Sequence, residues 1–337
     1  MNWPTDYLNQ TICGDCLTVL KTMPAESVNC CITSPPYWGL RDYGVSGQLG
    51  LEKTPEEYVA KLIEAFREVH RVLRNDGTLW LNLGSSYASK PPGNPGAMQS
   101  HSRKDDIGGI KIIKECSGHQ GVPTGWKEKD LIPTPWMAAL ALRTDGWYLR
   151  QDLIWHKPNP MPESVTDRCT KAHEYIFLLA KSAKYYYDAE AIKEPANGWN
   201  DSKFEDGKNI INHPNVGKKR LRPNGAATFE KFGHDTGCGV SETRNRRSVW
   251  TVTTKPFSEA HFATFPPDLI KPMVLAGCPE GGIILDPFGG AGTTGMVAKQ
   301  NYRNFILIDL NPKYTKMADR RIDGTLVNKK LNFTEAI

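Results

Sequence analysis

The sequence predicts an α/β fold in which a mostly parallel, twisted sheet carries helices on both faces. Strand, helix and strand alternate near both ends of the chain, the pattern of parallel βαβ units. The segment Val28–Thr33 is apolar on both faces, as a central parallel strand is. A glycine-rich turn at residues 286–295 leads from a strand straight into a helix, where backbone can approach a nucleotide-like ligand. With 337 residues there is room for one large domain with a sizeable core, plus insertions.

Taken in order, residues 11–15 read as a short strand ending in a turn, 16–23 as a short helix and 28–33 as the apolar strand. Thr54 caps a long helix with Pro55 at its first position, and Val59, Leu62, Ile63, Phe66, Val69 and Leu73 recur at helical spacing. Asn75-Asp76-Gly77 ends that helix, and 78–83 is the next strand. Residues 88–130 carry glycines and prolines without lasting periodicity, and a loop this long inside a compact domain is usually functional or disordered. A helix over 134–142 and strands over 147–155 and 174–180 restore the pattern. From 188 to 254 it breaks again: between Lys193 and Arg247 there are eleven Lys and Arg against seven acids. The last unit is a helix over 267–276, a strand over 282–286, a helix over 293–300, a strand over 304–309 and a helix over 312–322. The chain therefore divides into 1–187, an irregular region 188–254, a second half 255–323 and a frayed tail 324–337.

A net charge of +5 permits a nucleic-acid partner without demanding one. Neither a signal-like N-terminus nor an apolar run near the ~18 residues of a membrane span is present, so a cytoplasmic protein without a membrane partner is expected. Of the eight cysteines only Cys13 and Cys16 form a C-x-x-C pair. With no second pair at zinc spacing, reduced thiols and no metal are expected.

Two segments carry the chemistry. Gly290-x-Gly292-x-x-Gly295, with Asp309 ending the next strand, satisfies the dinucleotide fingerprint and taken alone suits an NAD-dependent oxidoreductase. The strand, however, enters it through Asp286-Pro287-Phe288. The other segment, Ser34-Pro35-Pro36-Tyr37, follows the apolar strand; in isolation it is a proline-rich turn. Its prolines fix φ and remove two donors, which leaves a carbonyl free to accept.

Together, S-P-P-Y and D-P-F-G-G-A-G-T-T resemble the motifs of the DNA amino-methyltransferases, and their order resembles the β-ordered, circularly permuted subgroup. The resemblance implies a Rossmann-like S-adenosylmethionine-dependent methyltransferase fold with an inserted target-recognition region at about 188–254. It implies S-adenosyl-L-methionine as cofactor, held by Asp15, Phe265, Asp286, Phe288, Gly289, Gly290, Gly292, Thr293, Thr294 and Asp309. Asp286 would face the cationic methionine end, Asp309 the ribose hydroxyls and Asp15 the adenine amine; Asp15 by itself is a turn cap, and the stretch around Phe265 a helix entry. Ser34, Pro35, Pro36 and Tyr37 would be catalytic. The Ser34 hydroxyl and Pro35 carbonyl would accept the target amine's protons, and the Tyr37 ring would stack on a base flipped out of double-stranded DNA.

Contacts to DNA are expected from Trp38, Arg41, His156 and Lys157, and from Lys218, Lys219, Arg220, Arg222, Arg244, Arg246 and Arg247. Core packing for Trp38, a surface ion pair for Arg41 and a solvated turn for 156–157 are the plain alternatives. Ser in the first motif position favours the cytosine N4 amine, with adenine N6 as the alternative. A catalytically silent DNA-binding module is a more distant one, and a cognate restriction endonuclease is left open as a second partner. Cys278-Pro279 reverses the order that 5-position cytosine chemistry requires.

Overall fold

A computed structural model of the chain describes residues 2–40, 44–88, 122–196, 243–254 and 265–326. It has two compact units, Met1–Ala191 with Arg247–Ile337, and Ile192–Arg246.

The larger unit starts with β1 (Gln10–Cys13), α1 (Cys16–Thr22), β2 (Val28–Thr33), α2 (Pro55–Val72) and β3 (Leu73–Leu83). Short strands β4 (Ser86–Tyr87) and β5 (Leu131–Ile132) pair with each other, and α3 (Thr134–Thr144), β6 (Tyr148–His156) and β7 (His173–Ala180) follow. In the smaller unit, β8 (Glu194–Pro195) pairs antiparallel with β9 (Thr243–Arg244). The chain then completes the larger unit with β10 (Val249–Thr251), α4 (Pro267–Gly277), β11 (Ile283–Asp286), α5 (Thr293–Gln300), β12 (Asn304–Asp309) and α6 (Pro312–Asp323).

Eight strands form one sheet in the order β1-β12-β11-β2-β3-β7-β6-β10. All run the same way except β7, which is antiparallel to both β3 and β6. The expected mostly parallel sheet is therefore present. From β2 the chain crosses through α2 to β3 on one side; from β11 it crosses through α5 to β12 on the other. Right-handed crossovers in opposite directions put these two helices on opposite faces. α2 contacts α1 and α3, while α5 contacts α4 and α6, so each face carries a layer of three.

The apolar stripe read from spacing is the buried face of α2: Leu62, Phe66 and Val69 are fully buried, together with Leu79, Leu81 and Phe177 of the sheet. Thr54 caps the helix, its hydroxyl accepting from the Glu57 N–H at 3.1 Å. Two boundaries differ from expectation. α2 ends at Val72, because Leu73 already pairs with Val28 before a bulge resets the register at Cys30 and Thr78. Val249–Thr251, read as part of the irregular region, is a sheet strand parallel to β6 with Trp250 turned inward at 3% exposure. Three residues are too few to show a period. No helix among the described residues is long and apolar enough to cross a membrane.

Candidate active site

β2 and β11 lie side by side and parallel, with Cys31 opposite Leu285, and their chains leave in opposite directions. A crevice therefore opens beyond their carboxyl ends, the position at which open α/β sheets bind ligands. S-P-P-Y leaves the end of β2 and the glycine turn leaves the end of β11. Two segments far apart in sequence meet because their strands are neighbours.

On the β11 side, Gly290 and Gly292 have φ of 49° and 77°. A Cβ on Gly292 would stand 2.7 Å from that of Ala318 in α6, so both the backbone conformation and the close helix demand glycine there. Asp309, at the end of β12, accepts from the Gly290 N–H (2.9 Å) and the Asn311 N–H (2.8 Å). Burial pushes its carboxyl up, and these two bonds oppose the shift. Thr293 and Thr294 are buried at the start of α5, and Arg321 of α6 donates to the Ala291 carbonyl. Phe265 and Phe288 are half-buried.

Asp286 departs from its expected position. It is 1% exposed, and its oxygens accept from the Thr33 hydroxyl (2.7 Å), the Phe288 N–H (3.1 Å) and the Thr294 hydroxyl (2.6 Å). Burial still pushes its carboxyl up to about 6. The side chain is sealed into the protein, tying β2, the glycine turn and α5 together instead of facing the crevice. Asp15 is exposed two residues beyond Cys13, which pairs with Asp309 across β1 and β12. Its Oδ1 accepts from the Thr18 N–H at 2.9 Å and the Thr18 hydroxyl at 2.7 Å, the helix-cap role that a turn aspartate has by itself.

On the β2 side the motif sits in a polar network that the sequence did not reveal. The Tyr37 hydroxyl donates to Glu174 Oε2 at 2.6 Å. Asn82 Nδ2 donates to the Tyr37 oxygen (2.8 Å) and to Glu174 Oε2 (3.0 Å), and lies 3.4 Å from Ser34 Oγ. Ser34 Oγ in turn donates to Tyr37 at 3.3 Å. Glu174 Oε1 is paired with Lys157 Nζ, both side chains being less than a fifth exposed. Burial raises the Glu174 carboxyl, but the Lys157 charge and the bonds from Lys157, Tyr37 and Asn82 outweigh it and hold the group below the usual range. Burial, with Glu174 beside it, lifts the Tyr37 phenol well above its ordinary value. One face of the Tyr37 ring lies on Gly84, where a Cβ would come within 2.8 Å of Cε2. The Tyr58 hydroxyl anchors the turn on the Pro36 carbonyl at 2.8 Å.

Asn82 interrupts the apolar run Leu79–Leu83 of β3, and Glu174 follows His173 at the start of β7, which is apolar from Ile176 on. β7 runs antiparallel, so its amino end reaches the same edge as the carboxyl ends of β3 and β2; that pairing, invisible in one sequence, brings Glu174 to the motif. A carboxylate beside the apolar run Ile176–Ala180 was the available signal.

The expected DNA contacts fare unevenly. Lys157 is not a solvated turn residue, since its ammonium is held by Glu174 and lies 4.3 Å from the centre of the Trp155 ring. Trp38 is 3% exposed and donates to the Glu52 carbonyl at 2.9 Å, a core position. His156 is half-buried, with Nδ1 3.1 Å from the Thr251 hydroxyl. Within the smaller unit Arg244 is paired with Glu194 at 2.9 Å and Arg246 is half-buried; Arg247, in the larger unit, is exposed. Arg41, Lys218, Lys219, Arg220 and Arg222 lie outside the described residues.

Residues 28–320 match the N6/N4 DNA methylase family. The Type II methyltransferase M.Cfr9I of Citrobacter freundii is 44% identical over 315 residues, covering 94% of this chain and 88% of the relative. M.XycI of Xanthomonas campestris pv. cyanopsidis, also a Type II methyltransferase, is 43% identical over 311 residues, with 92% and 86% covered. Among solved structures, the cytosine-N4-specific PvuII DNA methyltransferase superposes with a TM-score of 0.57 at 16% identity, over 94% of this chain and 88% of its own. A Thermus thermophilus protein assigned as a DNA modification methylase, solved with S-adenosyl-L-methionine, gives 0.52 at 19% identity, over 95% and 99%.

Proposed function

The chain belongs to the N6/N4 family of DNA methylases, and from that premise we propose that it methylates the N4 amine of cytosine in double-stranded DNA. S-adenosyl-L-methionine is the methyl donor. The observation that carries the cytosine reading is Ser34 at the head of an S-P-P-Y turn facing the glycine turn across the crevice. The cytosine-N4 specificity named for the PvuII enzyme supports it. The dinucleotide reading of the glycine turn lapses with family membership, since a nicotinamide enzyme has no use for Ser34-Pro35-Pro36-Tyr37.

The residues present suit the donor. The turn Gly289–Gly292 offers bare backbone, with Asp309 and Asp15 at the ends of the neighbouring strands. Asp309 keeps lone pairs for the ribose hydroxyls after its two backbone bonds, and Phe265, Phe288 and Thr293 complete the set we assign to the pocket. Bound there, the donor supplies an electrophilic methyl group.

The protein's task is the amine. An exocyclic base amine is a poor nucleophile because its lone pair is delocalised into the ring. Acceptors that hold both amine protons draw the nitrogen toward tetrahedral geometry, and we assign that role to Ser34 Oγ and the Pro35 carbonyl. Tyr37 presents its ring to the flipped base, a contact worth roughly 1–3 kcal/mol. No covalent intermediate is required. Cys278, the thiol next to a proline, is buried and pushed up to about 12, which unfits it to attack a cytosine ring.

Target reading is assigned to the smaller unit and its basic residues, and a cognate endonuclease of the same specificity is the partner proposed, in the cytoplasm. The deciding experiment digests duplex DNA treated with enzyme and donor to nucleosides for mass spectrometry. N4-methylcytosine is expected. N6-methyladenine alone would overturn the cytosine assignment, and 5-methylcytosine would overturn the roles of Ser34, Pro35 and Tyr37.

A further inference from the structure

We infer that Glu174 is a positioning residue that fixes the direction of the hydrogen bonds around Ser34, so that the serine hydroxyl meets the target amine as an acceptor. The inference rests on the amine-methylating role proposed above.

A serine hydroxyl is ambivalent: it carries one proton and two lone pairs, and it rotates to suit its neighbours. To receive an amine it must send its own proton elsewhere. An ionised carboxylate, in contrast, only accepts. Glu174 takes the single Tyr37 proton at 2.6 Å, which leaves the Tyr37 oxygen with nothing but lone pairs. Those lone pairs face Asn82 Nδ2 at 2.8 Å and Ser34 Oγ at 3.3 Å. The Ser34 proton is thus drawn back toward Tyr37; Asn82 Nδ2, at 3.4 Å, faces one Ser34 lone pair, and the other is left for the substrate amine. At 3.3 Å this bond is weak; its function is to occupy a proton, not to hold the chain.

Asn82 reports the same polarity. Its amide places Nδ2 against the carboxylate and the Tyr37 oxygen, while Oδ1 is buried without a hydrogen-bond partner among the described residues. Leaving a buried acceptor without a donor is costly. The opposite orientation would set Oδ1 against Glu174 and an oxygen with no proton to give, so the arrangement is imposed by the charge on Glu174. Lys157 holds that charge in place at the far side. With a neutral group at 174, the Tyr37 proton is free to turn to Ser34, and Ser34 then points its own proton at the amine.

The test measures kcat on duplex DNA and donor affinity by calorimetry for the wild type, Tyr37→Phe, Glu174→Gln and the double variant. Each single change should lower kcat by at least about tenfold with donor affinity within about threefold. The double variant should lie within about threefold of the slower single one, because both break one chain. A Ser34→Asp background supplies the readout a packing role would not move: a carboxylate accepts in every rotamer, so adding Tyr37→Phe there should cost less than about threefold. If Glu174→Gln does not fold, the Tyr37→Phe comparison in the two backgrounds decides alone.

A Tyr37→Phe enzyme within about threefold of wild type, losses that multiply in the double variant, an inactive Ser34→Asp enzyme, or an equal Tyr37→Phe penalty in both backgrounds would each overturn the inference. A wild type that methylates no exocyclic amine fails earlier, on the proposed function. One that methylates adenine N6 leaves this test intact, because the amine geometry is the same.

Discussion

Two aspartates at the ends of adjacent strands illustrate how little a residue's type says about its role. Asp309 uses one lone pair per oxygen on backbone N–H groups and keeps the others. Asp309→Ala should therefore weaken donor binding by about 1.5–3 kcal/mol, the worth of hydrogen bonds to a charged group; calorimetry showing unchanged affinity would refute the ribose role. Asp286 is a buried acid whose carboxyl stands at about 6 in the folded protein. Because the folded value is raised above the ordinary ~3.9, the folded state binds this proton more tightly than the unfolded chain does. The stability so contributed is fully present below pH ~4 and is lost as pH rises through about 6. Asp286→Asn keeps the shape and removes the titration. The melting temperature of the wild type minus that of the variant should fall between about pH 4.5 and about 7, and a flat difference would show that Asp286 does not titrate in that window.

At the scale of elements, the glycine turn is held from behind by α6. Ala318 fills the space a side chain on Gly292 would need, and Arg321 grips the Ala291 carbonyl. Gly292→Val combines a positive φ with a backbone clash and should destabilise the fold by about 2–4 kcal/mol, the sum of strain and overpacking. A melting temperature within error of wild type would mean the turn re-forms elsewhere. The same elements show what could be read in advance. β2, α5 and β12 match their expected bounds because an apolar run or a glycine turn marks each end locally. The end of α2 was misplaced because the Leu73–Val28 pair, not Asn75-Asp76-Gly77, decides it. S-P-P-Y and the glycine turn were legible as motifs, and Lys157 as a DNA contact, whereas the network joining Lys157 to Glu174 and Asn82 was not, because a buried polar network depends on which strands pair, and the antiparallel β7 is a nonlocal choice.

At the scale of the whole molecule, the irregular basic stretch is an excursion from an otherwise closed α/β unit, and β8 and β9 show where it begins and ends. Glu194 is paired with Arg244 and Pro195 with Thr243, so the two ends of the excursion already lie on adjacent antiparallel strands. A tight turn of about two residues is enough to join such a pair. Replacing residues 196–242 with Asn-Gly should therefore leave the larger unit folded, because every strand of its sheet and all six described α-helices lie outside the deletion. Cooperative melting and donor affinity within about threefold of wild type are expected, since the glycine turn, Asp309 and their buttress in α6 are untouched. Site-specific methylation should be lost, because the larger unit retains the chemistry but not the residues to which base reading is assigned. Bisulfite-independent sequencing of methylated plasmid reads the outcome directly. A folded deletion variant that still modifies the same sites would move target recognition to residues 88–130, the other long stretch without periodicity. A variant that binds no donor would show that the excursion is part of the fold itself.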